Sequence, residues 1–187
     1  MDLMYSIMLF SRAHEESKTK PKRTVSAAEK GVKRHNNGER SETGLPYAIK
    51  AVGNNIWWSD CSDGTVKNHS YFFPIAQEII KLAFDGWGCY RIVGYLNENY
   101  DAPRSKKDEK EGVTRKWLIP RITNFLRSRT LLGEKTVTLN GVGHTLKGYY
   151  PALLNEDEFY RLQHVRKERT SKSTSTKYSH MLSGLGI

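Results

Sequence analysis

Apolar residues along this chain come in short runs whose spacing changes several times. Leu3, Met4, Ile7, Met8 and Phe10 recur at helical intervals, and from Ser11 to Arg34 apolar residues nearly vanish while helix formers persist. The pattern predicts a helix over residues 1–38 that is apolar at one end and polar and basic along the rest, with Pro21 expected to kink or interrupt it. Such a helix cannot bury itself alone, so its apolar end calls for a partner surface. His35 to Thr43, containing Asn36-Asn37-Gly38, reads as a linker, which places a boundary at 39–44.

Beyond the linker, Leu45 to Val52 reads as extended and Asn54-Asn55 as a turn, with Ile56-Trp57-Trp58 as the partner strand. Cys61 to Ser70 is polar and loop-like. Phe73, Ile75, Ile79, Leu82, Ala83 and Phe84 follow helical periodicity, with Gly86 as the stop. A helix at Cys89–Asn99 turns Ile92, Val93 and Leu96 inward. Asp101 to Val113 reads as a charged loop. Another helix, Leu118–Ser128, follows, with Pro120 in its first turn where a missing donor costs little. Lys135–Leu139, a turn at Asn140-Gly141 and His144–Tyr150 read as a hairpin. Asn155 caps a last helix carrying Phe159, Leu162 and Val165. The Ser/Thr/Lys-rich stretch from Thr170 reads as a flexible tail. The fold class is mainly α with small β-hairpins, an α+β arrangement with a helix-turn-helix-like centre between Gly86 and Gly133.

Composition narrows the function. Of 187 residues, 30 are Lys or Arg and 20 are Asp or Glu, a net charge of +10 that points to a polyanionic partner. The two cysteines, Cys61 and Cys89, form no Cys-x-x-Cys pair, so neither a disulfide framework nor a zinc site is expected, and the thiols read as reduced in a cytoplasmic protein. No apolar run approaches the ~20 residues that span a bilayer, and Met4–Phe10 lacks the basic leader of a signal peptide. The six histidines are scattered, the serines near the start have no adjacent base, and no Gly-rich phosphate loop is present. No active site, metal or cofactor is expected in this chain.

The candidate chemistry is therefore recognition of double-stranded DNA. With Ile92, Val93, Leu96, Trp117, Ile122, Phe125 and Leu126 assigned to the core, Arg115, Lys116, Arg121, Thr123, Asn124 and Arg127 remain outside. Arg and Asn can make bidentate contacts with guanine and adenine edges in a major groove. Arg129 and Lys135 fall just beyond, where they suit phosphates, and Arg104 lies in the charged loop. Lys22, Arg23, Lys33 and Arg34 on the first helix would neutralise phosphates, and Asn36 to Arg40 reads as an arm able to follow a minor groove.

Six segments in order resemble the recombinase domain, with its flanks, of the serine recombinases, the family of resolvases, invertases and phage or transposon integrases. Met1–Arg23, including Ile7-Met8-Leu9-Phe10-Ser11-Arg12, resembles the end of that family's catalytic domain and its long dimerisation helix. Leu45-Pro46-Tyr47-Ala48 resembles the Pro-Tyr-Gly-Tyr opening of the recombinase domain, with Ala48 where glycine is usual. Gly86-Trp87-Gly88 through Leu96-Asn97 resembles the Gly-x-Ser helix and its Leu-Asn, with Gly88 at the capping position. Trp117 to Gly133 resembles the Trp-Ser-x-x-Thr-Val helix, with Leu118 and Arg121 departing at the Ser and Thr positions. Leu153 to Phe159 resembles the closing helix, and Met181–Gly186 the lead-in to a zinc ribbon.

The resemblance implies a long helix (1–38), a linker (39–44), a recombinase domain (45–169) and a tail (170–187). It implies sequence-specific DNA binding in a parent protein that exchanges strands through a phosphoserine linkage, with the nucleophile outside this chain and self-association through the first helix. A free-standing winged-helix regulator is the alternative reading.

Overall fold

The first helix owes its length to composition and its anchoring to a few small and apolar positions near its end. The computed structural model describes residues 3–49 and 55–175. In it α1 spans Leu3–Asn36 without a break, although Pro21 lies inside it. The expected interruption does not occur. The surrounding residues are exposed, so water can satisfy the carbonyl that the proline leaves without a donor. Met4, Ile7, Met8 and Phe10 are all more than half exposed, whereas Ala28 and Val32 are buried.

The elements after α1 are β1 (Ser59–Asp60), β2 (Lys67–Asn68), α2 (Phe72–Phe84), α3 (Cys89–Asn99), α4 (Lys106–Glu111), α5 (Ile119–Arg127), a 3-10 turn (Arg129–Leu132), β3 (Lys135–Leu139), β4 (Val142–Leu146) and α6 (Glu156–Ser175). They gather into two compact units, Met1–Asn68 with Glu134–Pro151, and His69–Gly133 with Ala152–Ile187. The segments expected at 1–38, 39–44 and 45–169 divide the chain by sequence. The first unit takes in the first two whole and part of the third.

In the first unit, Ala28 and Val32 of α1 meet Ile49, Val66, Val137, Leu139, Leu146, Tyr149 and Tyr150 in one core. Gly31 lets the helix approach closely, because a Cβ there would lie 2.9 Å from Cγ1 of Ile49. The Tyr149 hydroxyl accepts the Ile49 N–H at 2.8 Å, so a core ring also satisfies a buried donor. β3 and β4 pair antiparallel from Lys135↔Leu146 to Leu139↔Val142. Asn140 (φ 50°) and Gly141 (φ 79°) form the turn, both left-handed as a two-residue I′ hairpin requires.

The expected hairpin between 45–52 and 56–58 has a different partner. Ala48 donates to the Gly64 carbonyl at 2.8 Å and Val66 to the Pro46 carbonyl at 2.9 Å, so Pro46–Ala48 pairs with Gly64–Val66. Trp57-Trp58 is a turn closed by the Ser59 N–H on the Ile56 carbonyl at 3.2 Å. Asp60 and Asp63 accept the N–H groups of Ser62 and Thr65, and this local bonding brings the chain back for the pairing. Residues 50–54, with the expected turn at Asn54, lie outside the described residues.

In the second unit α2 buries Ile75, Ala76, Ile79, Ile80, Leu82 and Ala83. It ends in a Schellman motif: Gly86 (φ 83°) donates to Ala83 and Trp87 donates to Leu82. α3 buries Ile92 and Leu96, and α5 buries Ile122, Phe125 and Leu126. The Asn155 carboxamide accepts the Glu158 N–H at 2.8 Å while Glu158 accepts the Asn155 N–H at 2.9 Å, a reciprocal cap that starts α6. α6 then runs to Ser175, so the flexible stretch expected from Thr170 begins as helix. Residues 176–187, with the lead-in resemblance at Met181–Gly186, lie outside the described residues.

The charged loop is not structureless. Ser105 and Asp108 form a capping box, Gly112 (φ 65°) closes the far end, and α4 occupies the interval. Residues 100–118 therefore replace the 3–4-residue turn of a tight helix-turn-helix. Across this interval one side chain joins α3 to the start of α5. Asn97 accepts the Trp117 N–H at 2.7 Å and donates to the Trp117 carbonyl at 3.2 Å. The Trp117 indole is buried and donates to the Tyr100 carbonyl at 3.1 Å.

Asn97→Ala leaves the backbone of a buried tryptophan without either partner. Denaturant unfolding is expected to show a loss of about 1–3 kcal/mol, the cost of an unsatisfied buried polar group.

Candidate nucleic-acid interface

α5 is nine residues long and too short to persist alone, so its geometry depends on what holds its two ends. The Asn97–Trp117 clamp fixes the entry. At the exit, Gln163 of α6 donates to the Leu126 carbonyl at 2.8 Å, and Arg166 donates to the same oxygen at 3.4 Å and to Gln163 Oε1 at 2.7 Å. These donors satisfy one of the carbonyls that a helix end leaves without a partner and add positive charge where the helix dipole is negative. The Arg166 guanidinium is held below its ordinary pKa, first by burial and then by the neighbouring Arg127.

With Ile122, Phe125 and Leu126 facing inward, the outer surface of α5 carries Thr123, Asn124 and Arg127, with Arg121 at its margin. Asn124 and Arg127 are exposed, and neither side chain enters a hydrogen bond or ion pair among the described residues. Arg121 is exposed but donates to the Pro103 carbonyl at 3.1 Å. Arg115 and Lys116, grouped with these residues from the sequence, lie in the extended segment before the helix. Lys116 is exposed. Arg115 is committed to the buried Asp108, whose carboxylate also accepts the Ser105 N–H and hydroxyl. These donors hold the Asp108 carboxyl well below the usual carboxylate range, Arg115 foremost. Arg104 pairs with Asp101 at 3.7 Å, and Arg129 is exposed on the 3-10 turn.

The first unit changes the reading of three other residues. Lys135 is only 5% exposed, which corrects its expected place at the surface. The β3 pattern Lys-Thr-Val-Thr-Leu puts it on the same face as Val137 and Leu139. There its ammonium lies 4.9 Å from the Tyr149 ring centroid and 3.5 Å from Oδ1 of Asn55, and burial pushes its pKa down.

Arg34 pairs with Glu39 at 2.8 Å and lies over the Tyr47 ring at 4.1 Å. Arg40 donates to the carbonyls of His35 and Glu39. The segment expected to be a free arm is instead folded onto the end of α1. Gly38 (φ 77°) donates to the His35 carbonyl and Glu39 to the Arg34 carbonyl, a second Schellman closure. Lys22, Arg23 and Lys33 are exposed along α1.

Sequence reasoning did not find Asn97, Gln163 or Arg166, which position α5 from elsewhere in the chain. The Leu-Asn pair was visible, but its target twenty residues on was not. Among the described residues no group of His, Cys, Asp and Glu could hold a metal ion, and no helix is long and apolar enough to cross a membrane.

These features define a mainly α-helical module with small antiparallel hairpins and a short helix held at both ends with a polar, basic face outward. A family model described as Recombinase matches residues 73–169, and the chain belongs to that family, as its resemblance to the recombinase domain of serine recombinases implies. A solved structure described as "Crystal Structure of a LSR-DNA Complex" is similar at 14% identity and a TM-score of 0.43, over 66% of this chain and 38% of that one. No curated protein matches the chain.

The Asp108–Arg115 pair carries an acid signature. A carboxyl depressed in the folded state contributes stability above its unfolded value of ~4, and that contribution is lost as pH falls toward the folded value. Asp108→Asn is expected to be less stable at neutral pH and to lose less stability than wild type between pH 5 and pH 2, followed by denaturant midpoints across that range.

Proposed function

We propose that this chain binds duplex DNA as the site-recognition part of a site-specific serine recombinase, with α5 entering the major groove. The observation that carries this reading is the exposed, unpaired pair Asn124 and Arg127 on a short helix fixed at both ends. An asparagine can bond an adenine edge bidentately and an arginine a guanine edge, and rigid support lets such contacts discriminate among bases. Family membership and the net charge of +10 support the same reading. Lys116, Lys22, Arg23 and Lys33 suit phosphate contacts, which position a protein without specifying sequence. Arg121 joins the base-reading set on release of its bond to Pro103. The strand chemistry, by this reading, belongs to a part of the parent protein outside this chain, and the apolar start of α1 is where subunits associate.

Titration against duplex DNA is expected to give an affinity that falls linearly in log salt, through release of counterions from neutralised phosphates. No binding to mixed-sequence duplex at low salt would sink the proposal. Asn124→Ala and Arg121→Ala should reduce preference for a selected site over random DNA, by about 1–3 kcal/mol for each bidentate base pairing removed. Lys22→Ala and Lys33→Ala should weaken binding to both alike and make the salt slope shallower. Lys135→Ala, at a buried cation, should lower the unfolding midpoint and leave that slope unchanged. Equal effects on specific and random DNA from the Asn124 and Lys22 variants would refute the division of roles.

A further inference from the structure

α5 begins with a residue that is costly for the folded chain. Leu118 occupies the N-cap with extended backbone (φ −123°, ψ 143°) and offers no side-chain cap, where Ser, Thr, Asp or Asn would accept a free helix N–H. Its side chain is also left in water, 61% exposed, beside Ile119 at 41%. A leucine here both forgoes a cap and exposes apolar surface, and no described part of the chain gains from it. Trp117, immediately before it, is fixed by Asn97 and Tyr100, so Leu118 projects from an anchored backbone. Its surroundings are cationic and polar: Lys116, Arg121 and, further along α5, Asn124 and Arg127.

Residues at the start of a groove-reading helix meet base edges. The one large apolar feature of the major groove is the thymine 5-methyl group, which takes aliphatic contacts. The arginine just before Leu118 is less available for guanine, since Arg115 is paired with Asp108. We propose that Leu118, flanked by Ile119, contacts a thymine methyl group in the major groove and biases this end of the site toward a T·A pair. This rests on the reading of α5 as the helix that enters the groove.

The test uses the full chain and a binding site selected from randomised duplex. Each thymine of that site is replaced in turn by deoxyuridine, which removes only the 5-methyl group. Wild type is expected to lose about fourfold in affinity at one thymine, the worth of burying one carbon group of that size. Leu118→Ser should bind the thymine and deoxyuridine sites equally, with an unfolding midpoint equal to or above that of wild type. Indifference of wild type to every replacement, full deoxyuridine sensitivity in Leu118→Ser, or a lowered midpoint in that variant would each overturn the inference. Selection that returns a specific site but no methyl dependence removes this inference alone. Failure to bind duplex at all removes the reading of α5 with it.

Discussion

The second unit depends on two hydrogen bonds from one carboxamide. Asn97, at the end of α3, takes the N–H and carbonyl of Trp117 together, as a neighbouring strand would, and so fixes where α5 begins. The buried indole, bonded to Tyr100, prevents rotation about that point. Without this clamp the long interval between α3 and α5 would leave the entry of a nine-residue helix to hydrophobic packing, which is not directional. Trp117 is thus less a core residue that happens to precede a helix than the hinge pin on which the helix is set.

Charge in this protein is more local than its total implies. Arg34, Arg104 and Arg115 each face a carboxylate, and Lys135 is enclosed by tyrosine rings. The formal sum counts all of them, yet a cation already facing a carboxylate or buried has less charge to offer a polyanion. The two arginines at the exit of α5 work differently. Arg166 is partly desolvated beside Arg127, and the carbonyl of Leu126 compensates for part of that crowding.

Much of the fold is legible in the sequence because its signals are local. Asn140-Gly141 marks the I′ hairpin, Gly86 the end of α2, and Asn155 with Glu158 the start of α6. What escapes is either short or non-local. α4 has no apolar periodicity, only the Ser105-x-x-Asp108 box and Gly112, a signal weaker than the charge around it. The return of Gly64–Val66 to Pro46–Ala48 depends on Asp60 and Asp63 bonding the intervening backbone, and Ile56–Trp58 offers a more apolar but incorrect partner. Lys135 is legible by period-two alternation with Val137 and Leu139, yet its charge points the other way, and register outweighs charge. On the outer face of α5 the residue types are readable, but not which of them the protein itself occupies.

Both ends of α5 are gripped by backbone atoms: the N–H and carbonyl of Trp117 at one end, the carbonyl of Leu126 at the other. Its inner face is fixed by Ile122, Phe125 and Leu126. The outward side chains at 123, 124 and 127 therefore bear almost none of the folding load. Substitutions at these three positions therefore leave both grips and the buried face of the helix in place.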